Sequence, residues 1–238
     1  MYKLFPIFAF IFLFGCKKDE PVTPVHTPFV YTDSVADIDG NYYHTVTIGS
    51  QVWMAENLRT TRYQNGDTIL FLSYSGAWSN FNNPGYCFYN NDSAAENIYG
   101  KLYNYRAVND ARNICPVGWH IPTYGEWQGL RASLLDSVGE KLREYGAKHW
   151  FPPNDRATDV FGFAALPGGS RDASGDYYDV RYKAFFWSSS YYIPSSSSFP
   201  EAWAMQLYDA ADPTLSLSVA EQDHFDYDNG FSVRCIKD

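Results

Sequence analysis

Residues 115–130, CPVGWHIPTYGEWQGL, place Cys115, His120 and Glu126 within twelve positions. A thiol beside an imidazole can act as a nucleophile with its base, and Cys, His and carboxylate are all metal-ligand types. The local spacing gives each residue a structural task instead. Trp119-His120-Ile121 reads as a short strand stopped by Pro122, with His120 facing opposite to its apolar neighbours. It is expected to be a packed or hydrogen-bonded histidine and not a base. Thr123 and Glu126 stand at the spacing of a capping box, in which hydroxyl and carboxylate each accept from the other residue's backbone N–H. Trp127, Leu130, Leu134, Leu135, Val138 and Leu142 share one helical face, which predicts a helix over 124–137. Gly139 either ends it or bends it into a second segment near 140–145.

Two other stretches could do chemistry. In EQDHFDYDNGF, Asp226, Asp228 and Asn229 are candidate calcium ligands, although a hard cation needs roughly six to eight oxygens and a solvated acidic loop explains them as well. Calcium is the one cofactor left open. The second acidic-amide cluster, YNNDSAAEN, lacks the spacing of an EF-hand loop and fits turn formation. From Leu166 to Ala211 the chain mixes Gly, Ser, Asp, Tyr and Trp, the composition of recognition loops. Tyr177, Tyr178, Tyr191 and Tyr192 are candidate ligand contacts; they are paired neighbours, so one of each pair at most can face the core. Arg171 is a further candidate, with a loop-fixing ion pair to Asp172 as its plainer alternative. Trp187 and Trp203 are expected in the core, and 190–200 as an exposed loop. No hydrolase elbow, zinc-protease motif, phosphate loop or dinucleotide fingerprint is present, and the five histidines are far apart.

These residues must sit on a domain that the rest of the chain delimits. Lys3 and the apolar run 4–15 read as a signal peptide over 1–15, since a membrane span needs about 20 apolar residues. Leu13-Phe14-Gly15-Cys16 resembles a lipobox, which makes Cys16 the expected diacylated residue and the membrane a partner through a lipid anchor. Residues 16–35 are charged and rich in Pro and Thr and read as a tether, leaving one domain over 36–238. The expected location is the outer membrane, facing the cell surface. The 27 acidic residues outnumber the 18 Lys and Arg, which cluster nowhere, and this argues against nucleic acid as a partner. Export permits disulfides. Among Cys87, Cys115 and Cys235 the favoured bridge is Cys115–Cys235, formed if the last strand returns beside the first; the other pairings stay open. Cys87 is then a buried free thiol.

Five blocks together carry a family likeness: DIDGNYYHTVTIGSQVWMAENLRTTRYQNG, YGKLYNYRAVNDARNICPVGWHIPTYGEW, ATDVFGFAALPGGSRDASG, FFWSSS and GFSVRCIKD. In this order they resemble the Fibrobacter succinogenes major paralogous domain family of bacterial lipoproteins. The resemblance implies an α+β, C-type-lectin-like fold: a loop-rich antiparallel sheet, paired first and last core strands, two flanking helices, and 36–110 as an N-terminal β-rich elaboration. It brings no catalytic residues. IPTYGEW is also similar to an element of formylglycine-generating enzymes, but those need a cysteine pair that the 115–235 bridge would leave incomplete. The expectation is a non-catalytic surface lipoprotein that recognises glycan or protein. A structural envelope protein and an enzyme are the alternatives.

Overall fold

The computed structural model describes residues 27–79, 83–193, 201–208 and 220–238; for 220–222 only the backbone is described. The chain opens with an antiparallel meander, β1 (Asp33–Ala36), β2 (Tyr42–Ile48) and β3 (Gln51–Met54). Both turns fall where Gly supplies a left-handed residue, Gly40 at φ 82° and Gly49 at φ 61°. Asp37 closes the first by accepting from the N–H groups of Asp39 and Asn41 and from the Tyr43 hydroxyl. Next come β4 (Leu70–Phe71), α1 (Ser75–Trp78), β5 (Gly85–Cys87), α2 (Ser93–Tyr99), β6 (Leu102–Asn104) and α3 (Tyr105–Val108). β7 (Trp119–His120) leads into α4 (Tyr124–Leu134) and α5 (Val138–Leu142). The last third is all strand: β8 (Gly168–Arg171), β9 (Tyr177–Val180), β10 (Lys183–Tyr192), β11 (Glu201–Tyr208), β12 (Ala220–Asp226), β13 (Gly230–Phe231) and β14 (Ile236–Lys237).

Three sheets result, in the orders β1-β2-β3-β14-β7, β4-β5-β6-β13-β8-β9 and β10-β11-β12. Every strand pair except β4–β5 is antiparallel. The architecture is mixed α+β, mostly sheet with few helices. Its final segment joins two of the sheets, because β13 sits inside the six-stranded sheet and β14 inside the five-stranded one. Phe231, Val233 and Cys235 point into a first core with Tyr43, Tyr103 and Trp187. Between them Arg234 points the other way, wholly buried, into a second core around Trp53, Trp127, Phe163 and Phe186. Its guanidinium donates to Asn57 Oδ1 at 2.9 Å, to the Ala164 carbonyl at 2.9 Å and to the Phe163 carbonyl, and lies over the Phe163 ring at 4.3 Å. Burial lowers its pKa to about 10, which still leaves it charged at neutral pH.

Three expectations need correction. α4 ends at Leu134, short of 137, because Leu135 and Ser137 adopt left-handed φ of 63° and 51° and turn the chain. Leu135 is therefore 88% exposed and off the apolar face, while α5 directs Leu142 into the same core as Leu130 and Leu134. The second segment expected near 140–145 is present as α5, starting slightly earlier, with Gly139 buried inside it. Residues 36–110 are not an elaboration packed on a separate core: β3 pairs with β14, and β6 with β13, so this segment supplies interior strands to both large sheets. The tether also stops earlier than residue 35, since β1 pairs with β2, Tyr31 donates to the Gly162 carbonyl at 2.9 Å, and its ring stacks on His44. Residues 1–16, with the signal reading and Cys16, lie outside the described residues.

Candidate functional site

The opening stretch is structural throughout. Cys115 and Cys235 form a disulfide with Cα atoms 5.9 Å apart, locking the approach to β7 against the segment that becomes β14. Thr123 and Glu126 make the full capping box: Thr123 Oγ1 accepts from Glu126 N–H at 3.2 Å, and Glu126 Oε2 accepts from Thr123 N–H at 2.7 Å. His120 bridges two carboxylates, Asp238 Oδ1 at 2.6 Å from Nδ1 and Glu126 Oε1 at 2.9 Å from Nε2. Burial opposes protonation of the ring, but the hydrogen bonds to Asp238 and Glu126 outweigh it and raise its pKa. With both ring nitrogens held by carboxylates, His120 ties the first turn of α4 to Asp238, next to β14.

The candidate binding residues divide between two sheets. Arg171, on β8, is 1% exposed and clamps the fold. It donates to the carbonyls of Gly175 at 3.0 Å, Leu72 at 2.6 Å and Ser73 at 3.3 Å, and it lies over Trp78 and Tyr177 at 4.6 and 4.9 Å. An ordinary ligand cannot reach it, and the loop-fixing role belongs to these carbonyls and not to Asp172. Tyr177 is half-buried against it and donates to Asn91 Oδ1 at 3.0 Å, while Tyr178 is exposed. Cys87 is buried in the same cluster; burial pushes its thiol up to about 11 against the pull of Arg171 and Tyr177, so it is inert at neutral pH.

Tyr192 belongs to a different group of rings. Between the pairs Trp187–Ala204 and Tyr191–Ala202, β10 carries two extra residues, a bulge at Ser188–Ser190. Past it, Tyr192 pairs with Glu201, and Trp203 with His224, so all four share one sheet face. Lower on that face, Met205 and Leu207 pack in one core with Trp127, Leu130 and Leu134 of α4; above them stands the helix's first residue, Tyr124. The Tyr124 N–H donates to Ser190 Oγ at 3.0 Å, which seats the helix N-terminus on the bulge and brings the Tyr124 ring to 4.7 Å from Trp203. His224 stacks on Tyr192 at 4.5 Å and meets Trp203 edge-on at 5.3 Å, with Glu201 as its ion-pair partner. Trp203 is thus half-exposed, contrary to its expected core position, whereas Trp187 is fully buried as expected. Tyr191, on the opposite face, is 60% exposed. The loop expected over 190–200 lies outside the described residues from 194 onward.

The acidic loop is bound up in itself. Asp226 Oδ1 accepts from Asp228 N–H at 2.9 Å, and the Asp226 carbonyl accepts from Asn229 N–H at 3.0 Å. Asp228 is buried, accepts from Arg106 Nε at 3.1 Å and receives the Trp78 indole N–H on its carbonyl. Burial raises the pKa of its carboxyl despite Arg106. Among the described residues no three His, Cys, Asp or Glu come together as metal ligands. A groove of about 550 Å³ lies over the first sheet between Asp33, Thr45, Thr47, Val52, Trp119 and Lys237.

Fold and site together define a disulfide-closed α+β domain in which aromatic side chains make both the cores and one half-exposed sheet face. The chain belongs to the Fibrobacter succinogenes major domain family, whose model matches residues 46–237. No curated protein and no solved structure matches it.

Proposed function

We propose that the chain is a bacterial cell-envelope lipoprotein, diacylated at Cys16 and displayed from the outer membrane, whose C-type-lectin-like domain recognises a glycan or protein ligand without catalysis. The fold reading is supported by the antiparallel pairing of β7 with β14 and by the two helices beside them. The anchor is carried by the sequence Leu13–Cys16; no helix among the described residues is long and apolar enough to cross a membrane. The observation that carries recognition is the half-exposed cluster of Tyr124, Tyr192, Trp203 and His224. Amphipathic rings already held by one another lose little conformational freedom on contact with a ligand.

The test is a glycan array probed with the full chain in detergent, once with calcium and once with EDTA, beside a pull-down of envelope proteins. Binding that survives EDTA and weakens in Trp203→Leu supports the ring face. Binding that needs calcium, and disappears in Asp226→Asn, moves the site to residues 226–229 and makes calcium a cofactor. A chain that retains neither glycan nor protein is better read as a structural envelope component.

A further inference from the structure

This chain covers many of its own aromatic rings with its own cations. Arg171 lies over Trp78 and Tyr177, Arg234 over Phe163 and Phe186, Lys101 over Tyr86 and Phe88, and Arg112 over Tyr63 at 3.9 Å. A cation over a ring face is worth about 0.5–2 kcal/mol, more as the pair is desolvated. The ring face of the three-stranded sheet is different. Among the described residues no Lys or Arg lies over Tyr192 or Trp203. The sequence explains why: residues 184–233 hold seven of the chain's 27 acidic residues and none of its 18 Lys and Arg. Among the described residues of that face, Glu201 and Asp226 stand opposite each other on β11 and β12 in the row beside Trp203, and His224, paired with Glu201, is the only side chain able to carry positive charge. Rings and carboxylates are what an ammonium or guanidinium group needs, and among the described residues this face supplies both without a Lys or Arg of its own, the His224 imidazole beside Glu201 being the one weaker cation.

Resting on the recognition reading above, we propose that the Tyr192–Trp203–Glu201 face docks a basic segment of a partner protein. An Arg or Lys side chain lies on the indole of Trp203 and Tyr192, with its charge directed at Glu201. The acidic sheet around it draws basic partners in and repels acidic ones. The same charge makes the face a poor seat for anionic glycans.

The probe is a fluorescent octa-arginine peptide titrated into the full chain in detergent and followed by anisotropy, with octa-glutamate and neutral oligosaccharides as parallel arms. Octa-arginine is expected to bind and octa-glutamate not to bind. Raising NaCl from about 0.15 M to about 1 M should weaken the complex, because the Debye length shortens. Trp203→Leu and Tyr192→Leu leave the net charge unchanged and should each weaken binding by about tenfold, the loss of one cation–π contact. Glu201→Gln, a near-isosteric change, should weaken it with the rings intact, so a misfolded Trp203 variant does not remove the test. Binding equally tight in all three variants would mean diffuse attraction to an acidic protein and would overturn the proposal, as would no binding. Neutral oligosaccharide binding without octa-arginine binding would overturn it while leaving the recognition reading in place; failure of every arm and of the glycan array would remove both.

Discussion

At the scale of single residues, buried charge does much of the positioning. Arg171 and Arg234 each satisfy backbone carbonyls that the sheets leave unpaired, and each does so across long sequence distances, 99 residues to Leu72 and 71 to Phe163. Glu126 works over three residues, which is why its capping role is legible in the sequence while the arginines' roles are not. Asp159 is another residue that local spacing does not flag. It accepts from Ala164 N–H at 2.7 Å, and burial raises its carboxyl to about 7 against the pull of that hydrogen bond and of Arg234. The unfolded chain releases this proton near 3.8 and the folded chain holds it to about 7, so Asp159 makes stability fall as pH rises through that window. His120, also raised, has the same sign: its contribution is complete below the ordinary imidazole range and fades as pH climbs through the folded value. Asp159→Asn should therefore flatten the pH profile and add on the order of 1 kcal/mol or more at neutral pH. Urea unfolding of both proteins across the pH range checks this; an unchanged slope would show that Asp159 is not the group responsible.

At the scale of elements, the clearest local code is the strand, stop and capped helix from Trp119 to Leu134. Thr123→Ala removes the acceptor for Glu126 N–H and should cost about 1 kcal/mol, read as a lower urea midpoint at unchanged slope. A neutral result would mean that Glu126, held also by His120, caps the helix without the hydroxyl. The helix's end was less legible than its start. Leu135 continues the apolar spacing, yet the chain turns there because α5 has to pack Leu142 beside Leu134. The bulge in β10 is likewise silent in the sequence: Ser188–Ser190 look like any serine run, and only pairing with β11 reveals two extra residues. That bulge, together with the start of α4 at Tyr124, decides that Trp203 reaches the surface while Trp187 does not.

At the scale of the molecule, the C-terminal segment joins two sheets, and the disulfide holds it to the approach to β7 across 120 residues. In a chain-entropy treatment, closing a loop of that length stabilises by about 4–5 kcal/mol. Reduction, or the double change of Cys115→Ser with Cys235→Ser, should lower stability by that order, and Ellman titration before and after reduction should find the Cys87 thiol only on unfolding. A reduced protein as stable as the oxidised one would show that strand pairing alone retains β14. The anchor is tested separately: Cys16→Ser should release the protein from the membrane fraction, and continued retention would contradict lipidation at Cys16. The sequence by itself determined the family, the capped helix, the two Gly turns and the favoured cysteine pair, because each is written in short spacings or in blocks of residues. Only the tertiary structure decided that residues 36–110 are built into the core, that Arg171 is a clamp and not a ligand contact, and which rings stay uncovered. Those depend on pairing between segments tens of residues apart, where burial is set by what happens to pack alongside and not by the side chain's own chemistry.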